Sequence, residues 1–393
     1  MEPIDQRRDA ERKRLLEQAR RIVVKVGTST VTAEDGGLAA ARVGPIVRSI
    51  AELLRAGRQI VLVSSGAVGL GRGWLGLHRS RLEDLVTKQA CAAVGQSLLM
   101  EAYKRLFSAW EIKVAQVLLT EDDFTVWRRH ANLQHTIERL WQFGVLPIIN
   151  ENDTVSTAEI ESLDPSSRPA FSDNDRLAAL VMSGLGADVL VLLTNVDGFL
   201  RAQPRKPDSP SSDGDPAQVV SLVDRITPEL VALASGPSSS GRGGMRTKLR
   251  AAEIAMSCGG MAVIANGGDP KTLDRLFSGD PVGTTFLPAK RMKGKRRWIA
   301  FAAGVAGRIA VDSGAEQAIS KRKASLLGSG VLRIENQFSA KDVVSITDKQ
   351  GREFARGIAA CNSREAANPA GNQNSRSSRI VVRRDNIVLL ENP

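Results

Sequence analysis

The sequence VLPIINEND, which occupies residues 145–153, joins an apolar run directly to a dense group of carboxamides and carboxylates. An apolar run of this length is typical of a strand that is buried on both faces of a parallel sheet. The polar residues then follow the carboxyl end of a strand, which is the edge of an open α/β sheet where ligands bind. A second polar group, SDND at residues 172–175, follows after a short loop. The alternative is a loop that uses Asn and Asp only for turns and helix caps.

The rest of the first 289 residues alternates between strand and helix patterns. Apolar strand patterns at residues 21–26, 59–63, 114–119, 189–193 and 262–265 are separated by helical patterns such as those at 43–56, 86–107, 131–143, 176–183 and 247–256. This alternation predicts a three-layer α/β/α sandwich with a mostly parallel sheet. Two segments rich in Pro, Ser or Gly, at residues 203–218 and 235–244, are predicted to be surface loops.

The last quarter of the chain differs in charge and in pattern. Residues 290–393 contain 20 Lys and Arg against 9 Asp and Glu, whereas residues 1–289 carry no net charge. Short strand patterns begin at residues 298–302 and predict a small β-barrel, with a poorly ordered loop at 366–379. We therefore predict a helical extension, exposed to solvent, at residues 1–18, an α/β domain at 19–289, a basic linker at 290–297 and a β-barrel domain at 298–393.

Composition narrows the class of protein. The three cysteines lie far apart in the sequence, so neither a disulfide framework nor a structural metal site is predicted. No segment approaches about 18 uninterrupted apolar residues, and the N-terminus contains no apolar core of a signal peptide. These features predict a cytoplasmic protein that does not contact a membrane.

Two lysines are predicted to meet phosphate groups. Lys25 lies near the end of the first strand, just before a glycine turn, and Lys248 lies at a predicted helix start, where free backbone N–H groups attract anions. Two such lysines could bracket a transferring phosphoryl group, and Asp175 could orient both by charge pairing. The P-loop pattern GxxxxGK[ST] is absent from the sequence, so the kinase architecture is a different one. For Lys25 alone, the alternative is a surface lysine that extends to solvent.

Other polar residues are predicted to hold a small substrate. Asp153 and Asn174 offer acceptors for an ammonium group, and Ser65, at the end of the second strand, offers a donor for a carboxylate. A carboxylate that attacks a phosphoryl group needs no general base. A catalytic histidine is therefore not required.

Taken together, these motifs resemble those of the amino acid kinase family, followed by a barrel that resembles a PUA domain. The kinase motifs occur in the order VVKVGTS (23–29), VSSGAV (63–68), INEND (149–153), DND (173–175), LLTNVDG (192–198) and GGMRTK (243–248). The PUA-like motifs are GRIAVDSGA (307–315), SLL (325–327) and FARGI (354–358). The resemblance covers nearly the whole chain, and within the family it is greatest to members that phosphorylate glutamate.

The resemblance implies specific roles for these residues. Lys25 and Lys248 would stabilise the transferring phosphoryl group, and Asp175 would organise them. The residues that would hold L-glutamate are Ser65, Asp153 and Asn174. The residues that would contact ATP are Lys25, Thr194, Asn195, Arg242, Gly243, Gly244, Met245, Arg246, Thr247 and Lys248. Mg²⁺ would arrive with the nucleotide, and the γ-carboxylate would become L-glutamyl 5-phosphate, the first intermediate of proline biosynthesis.

The resemblance also implies partners, and it leaves alternatives. Proline would be a feedback inhibitor, a glutamyl phosphate reductase would use the product, and the protein would form a homo-oligomer. Ser172 replaces the usual glycine of the family, and Asn195 replaces an aspartate that many members have. One alternative is a family member that phosphorylates N-acetylglutamate or aspartate. The other is a protein that binds RNA through its basic barrel, and this is the less expected hypothesis.

Overall fold

The computed structural model describes residues 4–78, 84–120, 122–155, 174–200, 218–234, 244–289, 294–367 and 379–390. The chain forms two compact units, one containing Met1–Asp123 and Ala131–Arg291, the other containing Phe124–His130 and Met292–Pro393. Ser172, Arg242, Gly243 and nearly all of the three predicted loops at 203–218, 235–244 and 366–379 lie outside the described residues. The domain boundaries drawn from the sequence stay a prediction.

The first unit is built on an eight-stranded sheet with the order β3-β4-β2-β1-β5-β7-β8-β6. Its strands are β1 (Arg21–Val26), β2 (Gln59–Ser64), β3 (Lys113–Leu119), β4 (Val145–Glu151), β5 (Val189–Thr194), β6 (Leu222–Val223), β7 (Met261–Asn266) and β8 (Thr284–Phe286). The neighbouring pairs are parallel except for β7 with β8, which is antiparallel. The predicted mostly parallel sheet is thereby confirmed.

Helices cover both faces of this sheet. In chain order the helices between residues 4 and 277 are α1 (Ile4–Gln18), α2 (Thr28–Val31), α3 (Ala40–Arg55), α4 (Ala67–Trp74), α5 (Leu85–Ser108), α6 (Asp122–Thr125), α7 (Trp127–Gln142), α8 (Asn174–Leu185), α9 (Pro228–Leu233), α10 (Met245–Ser257) and α11 (Thr272–Phe277), and Phe124–His130 of α6 and α7 belong to the second unit. Ile22 and Val24 of β1 share one core with apolar residues of α3 and α5. Because side chains alternate along a strand, Lys25 points to the other face, where α8 packs against β1.

The first helix is only partly exposed, in contrast to the prediction of a solvent-exposed extension. Leu16 is fully buried, and the Arg12 side chain is almost fully buried. The Arg12 guanidinium donates hydrogen bonds to the carbonyls of Gly279, at 2.6 Å, and Asp280, at 2.8 Å. These contacts attach α1 to the segment that follows α11. A long cation with satisfied donors can occupy a largely buried position, which a polar sequence pattern does not reveal.

Helices α4 and α5 approach each other more closely than side chains would allow. A Cβ atom placed on Gly95 would lie 1.7 Å from the carbonyl oxygen of Ala67, and one placed on Gly71 would lie 1.8 Å from that of Cys91. Only glycine fits at either point. The contact holds the middle of α5 beside the turn that joins β2 to α4.

The second unit contains a six-stranded curled sheet with the order β10-β14-β13-β12-β9-β11. Its strands are β9 (Val305–Val311), β10 (Leu326–Leu327), β11 (Val331–Glu335), β12 (Val343–Thr347), β13 (Glu353–Ala359) and β14 (Ile380–Leu389). The helices are α12 (Gly294–Arg297), α13 (Ser313–Arg322) and α14 (Ser363–Ala367), with a 3₁₀ turn at Gly328–Gly330. Apolar residues of these strands enclose a separate core. This architecture confirms the predicted small β-barrel domain.

One predicted strand of the barrel is wrong. Trp298–Ala302 forms a π-helix. The Trp298 indole donates a hydrogen bond to the Phe124 carbonyl at 2.8 Å, and its ring packs edge-on against Trp127 at 5.4 Å between centroids. A short run of buried apolar residues has the same appearance in a strand and in a buried helix, and tertiary contacts decide between them.

Two further expectations, one about disulfide bonds and one about membrane-spanning helices, can be compared with the structure. The three cysteines are buried free thiols, as expected without a disulfide framework. Within the described ranges, no helix combines the length and the apolar character needed to cross a bilayer.

Candidate active site

The carboxyl ends of five neighbouring parallel strands bring the candidate residues to one edge of the sheet. These strands are β4, β2, β1, β5 and β7. Ser65 follows β2, Asn150 is the last residue but one of β4, and Thr194 ends β5. The edge predicted from the sequence is therefore the edge at which the structure places these side chains.

Lys25, Asp175 and Lys248 form a compact group, which we name the ionic cluster. The ammonium of Lys25 lies 2.7 Å from Oδ1 of Asp175, and the ammonium of Lys248 lies 3.0 Å from Oδ2. All three residues are buried: the exposed fraction is 5% for Lys25, 0% for Asp175 and 6% for Lys248. One carboxylate thus holds two lysines that are 223 positions apart in the sequence, and it fixes the separation of their charges.

Each member of the ionic cluster is positioned by a rigid element. Lys25 stands on β1, which lies in the middle of the sheet, and Asp175 lies in the first turn of α8, where the helix dipole favours a carboxylate. Lys248 lies in the first turn of α10, a position that is unfavourable for a cation by itself. The Thr247 hydroxyl lies within hydrogen-bond distance of Asp175 Oδ2, at 3.2 Å, and thereby adds a further contact between α8 and α10.

The ionic cluster changes the titration of its carboxyl group. Burial raises the pKa of Asp175, but the charges and hydrogen bonds of Lys25 and Lys248 outweigh burial and lower this pKa to about 2. The carboxylate is therefore ionised throughout the physiological pH range. Two ammonium groups and one carboxylate leave a formal charge of +1 across the three side chains. A buried site with this surplus of positive charge favours the binding of an anion.

A neutral network lies next to the ionic cluster, and we name it the amide network. Asn174 donates from Nδ2 to Ser65 Oγ at 2.7 Å and to Asn150 Oδ1 at 3.1 Å. Asn150 in turn donates from Nδ2 to Oε1 of Gln96 at 2.9 Å. Oδ1 of Asn174 is buried, and among the residues that the structure describes it has no hydrogen-bond partner. The network therefore presents an acceptor and, through the Ser65 hydroxyl, a donor.

Asp153 lies at the same edge of the sheet, in the turn that follows β4. It is two residues beyond the end of the strand and partly exposed. A carboxylate in this position can approach a ligand from the solvent side.

The residues predicted to contact nucleotide lie at the ends of β5 and of the loop before α10. Thr194 is buried and donates to Oδ1 of the exposed Asn195 at 3.3 Å. Gly244 is the N-cap residue of α10, with φ −82° and ψ −178°, and it is followed by Met245 and the exposed Arg246. Free N–H groups at this helix start and the exposed guanidinium are suited to phosphate oxygens.

The structure adds three residues that the sequence analysis did not assign. Asn150 is within the opening motif, and its partner Gln96 lies on α5, where nothing in the sequence distinguishes it from a surface glutamine. Asn266, at the end of β7, donates to Oδ1 of Asp197 at 2.8 Å and thereby links β7 to the segment that follows β5. Its sequence signal is a polar residue followed by two glycines after an apolar strand.

Comparison with known proteins gives two family matches. Residues 20–266 match the amino acid kinase family, and residues 307–381 match the PUA domain. The chain is 41% identical over 381 residues to the glutamate 5-kinase of Thermoanaerobacter sp. (strain X514), covering 94% of this chain and 98% of that one. It is 42% identical over 385 residues to the glutamate 5-kinase of Moorella thermoacetica, covering 95% and 97%. The corresponding values for the glutamate 5-kinase of Geobacter sp. (strain M21) are 41% over 390 residues, 96% and 100%.

Proposed function

The chain belongs to the amino acid kinase family, and on this basis we propose that it transfers the γ-phosphoryl group of ATP to the γ-carboxylate of L-glutamate. The product is L-glutamyl 5-phosphate, the acyl phosphate with which proline biosynthesis from glutamate begins. The relatives of similar length are named glutamate 5-kinases, which favours glutamate over N-acetylglutamate or aspartate and a kinase over a protein that only binds RNA.

The observation that carries the proposal is the adjacency of the ionic cluster and the amide network. Asn174 and Asp175 are consecutive residues in the first turn of α8, yet Asn174 joins the neutral network and Asp175 joins the two lysines. In this proposal, Asn174 contributes to a site for the amino acid, Asp175 contributes to a site for the transferring phosphoryl group, and the two sites are adjacent. Their adjacency suits the attack of a substrate carboxylate on a phosphate.

In this mechanism the lysines act on charge and the amide network acts on position. Lys25 and Lys248 neutralise charge on the phosphoryl oxygens in the transition state, and Asp175 holds both ammonium groups in place before the substrates arrive. Oδ1 of Asn174 and the carboxylate of Asp153 accept hydrogen bonds from the α-ammonium group of glutamate, and the Ser65 hydroxyl donates to its α-carboxylate. The γ-carboxylate is already ionised, so no side chain has to remove a proton from the nucleophile.

The nucleotide enters as MgATP. Among the described residues, no group of three or more His, Cys, Asp or Glu side chains is arranged to hold a metal ion. The carboxylates at this edge, Asp153, Asp175 and Asp197, stand singly among lysines, amides and hydroxyls, and this set would suit an Mg²⁺ ion that takes most of its ligands from phosphate and water. Thr194, Asn195 and the residues 242–248 bind the nucleotide in this proposal.

Further partners follow from the family and stay predictions. They are proline as a feedback inhibitor, a glutamyl phosphate reductase that uses the labile product, and a second copy of the chain. A cytoplasmic location fits the three buried free thiols. RNA binding by the second unit is a separate prediction, which salt-dependent binding to that unit would test.

Hydroxylamine trapping tests the proposed reaction, because hydroxylamine converts an acyl phosphate to a stable hydroxamate. Purified protein is incubated with MgATP, hydroxylamine and either glutamate, aspartate or N-acetylglutamate. We expect hydroxamate and equal amounts of ADP with glutamate alone. The variant Lys248→Met should lose the signal, and the matched control Lys113→Met, at the exposed amino end of β3, should retain it.

Two results would overturn the proposal. A signal with another acid and none with glutamate would keep the chemistry but change the substrate. No signal with any of the three acids from folded protein would remove the kinase assignment for this chain.

A further inference from the structure

Gln96 belongs to the amide network through its hydrogen bond with Asn150, and Asn150 stands between Gln96 and Asn174 in that chain of hydrogen bonds. Gln96 is on α5, half-buried, and its Oε1 accepts the hydrogen bond from Nδ2 of Asn150 at 2.9 Å. Asn150 itself is 3% exposed. A hydrogen bond between a buried amide and a half-buried one fixes the orientation of both, because a flip of either one alone would leave like groups facing each other.

The location of Gln96 is set by the close contact of α4 with α5. Its neighbour Gly95 lies against the Ala67 backbone so tightly that an added Cβ would be 1.7 Å from the carbonyl oxygen. Ala67 follows Ser65 by two residues, so the glycine contact that holds α5 also fixes Gln96 relative to the turn that carries the Ser65 hydroxyl. Gln96 is consequently on a rigid element with little freedom to withdraw.

The direction of each hydrogen bond in the network depends on the one behind it. Because Gln96 accepts from Nδ2 of Asn150, Oδ1 of Asn150 faces Asn174 and accepts from its Nδ2. Nδ2 of Asn174 is thereby directed inward, also toward Ser65, and its Oδ1 is left as an acceptor without a partner among the described residues. If Asn150 presented Nδ2 to Asn174 instead, the Asn174 amide would have to rotate and would direct a donor at the substrate.

We propose that Gln96 is a positioning residue that determines specificity for the α-ammonium group of the substrate, by fixing the amide orientation of Asn150 and, through it, that of Asn174. The inference rests on the proposed glutamate kinase activity. It predicts that loss of the hydrogen-bond acceptor at residue 96 weakens binding of the substrate's ammonium group, although the side chains of Asn150 and Asn174 lie between the two.

The test compares Gln96→Met, which has a similar shape but no strong acceptor, with Gln96→Glu, which retains an acceptor for Asn150. Initial rates of hydroxamate formation give the KM values for glutamate and for ATP, and glutarate, which lacks the ammonium group, is used as a competitive inhibitor. Ser97→Ala is the matched control on the same helix, since the exposed Ser97 hydroxyl donates only to the carbonyl of Val94. Thermal unfolding is followed for each variant.

For Gln96→Met, we expect the KM for glutamate to rise about tenfold, the size of the loss of one well-oriented hydrogen bond to a charged group. The KM for ATP and the inhibition constant of glutarate should stay at wild-type values. Gln96→Glu should restore the KM for glutamate. Equal weakening of glutamate and glutarate, unchanged KM for glutamate in Gln96→Met, or failure of Gln96→Glu to restore it in a folded protein would each overturn the inference.

The two proposals fail in different ways. If the wild-type protein makes no hydroxamate from glutamate, the proposed function is wrong and the role of Gln96 falls with it. If the wild-type protein is active and Gln96→Met has wild-type constants, only the role of Gln96 is wrong.

Discussion

The ionic cluster and the amide network occupy adjacent positions at the same sheet edge, but they are held together by different forces. Lys25, Asp175 and Lys248 form a buried charged group whose attraction is strong in a medium of low dielectric constant. The amide network contains no charge, and its hydrogen bonds depend on direction. The difference suggests a division of roles: charge stabilises a transition state, while oriented neutral dipoles select the substrate that is to react.

Removal of one charge should have the largest effect. We expect Lys248→Met to lower kcat by about a hundredfold to a thousandfold, because a preorganised cation is lost from the transition state. Steady-state hydroxamate kinetics measure the effect, with Lys113→Met as the control. A comparable fall in kcat for the control would show that the loss is not specific to the ionic cluster.

An added methyl group at the contact of α4 with α5 should weaken the amide network and leave the ionic cluster intact. Gly95→Ala places a Cβ at 1.7 Å from the Ala67 carbonyl oxygen, so the helices must separate. We expect a loss of about 1–3 kcal/mol in the free energy of unfolding, together with a higher KM for glutamate.

The matched control for that variant is Gly44→Ala on α3. Apart from its chain neighbours and the backbone of its own helix, a Cβ on Gly44 would have no atom within 4 Å. Alanine is the better helix former by about 1 kcal/mol, but the following Pro45 disfavours the helical conformation for a residue with a Cβ, so we expect this variant to be close to the wild type in stability. Denaturant unfolding of both variants checks the pair, and equal stability of the two would argue against the tight contact.

A fall in pH should weaken the ionic cluster but not the uncharged amide network. The pKa of Asp175 is lowered from 3.8 to about 2, so its contribution to stability, on the order of 2 kcal/mol, is fully present above about pH 4 and is lost as the pH falls through 2. Between pH 6 and 8 this carboxyl group should cause no change in kcat. The stability difference between wild type and Asp175→Asn, measured by denaturant unfolding from pH 7 downward, should shrink below pH 4. A difference that is constant across that range would contradict the assigned pKa.

Loss of a single neutral acceptor should have the smallest effect. We expect Asn174→Leu to raise the KM for glutamate about tenfold and to leave the KM for ATP unchanged. The exposed Asn132 on α7 provides the control variant Asn132→Leu. A rise in the KM for ATP would show that the amide network also serves the nucleotide.

The sequence predicted the parts of this site that have local signals. Lys25 lies near the end of a strand, Asp175 and Lys248 lie in the first turns of helices, and the parallel sheet brings such positions together whatever their distance along the chain. Gln96 could not be predicted in this way, because its partner Asn150 is 54 positions away and the contact depends on the approach of two helices. The π-helix at Trp298–Ala302 was missed for a similar reason: an apolar run shows burial but not backbone geometry.

Calorimetric titration of glutamate into Lys248→Met and Asn174→Leu tests the division of roles most directly, since it measures binding without the reaction. The account predicts that Lys248→Met binds glutamate with wild-type affinity, whereas Asn174→Leu binds it about tenfold more weakly. Weak binding by Lys248→Met together with wild-type affinity in Asn174→Leu would contradict it.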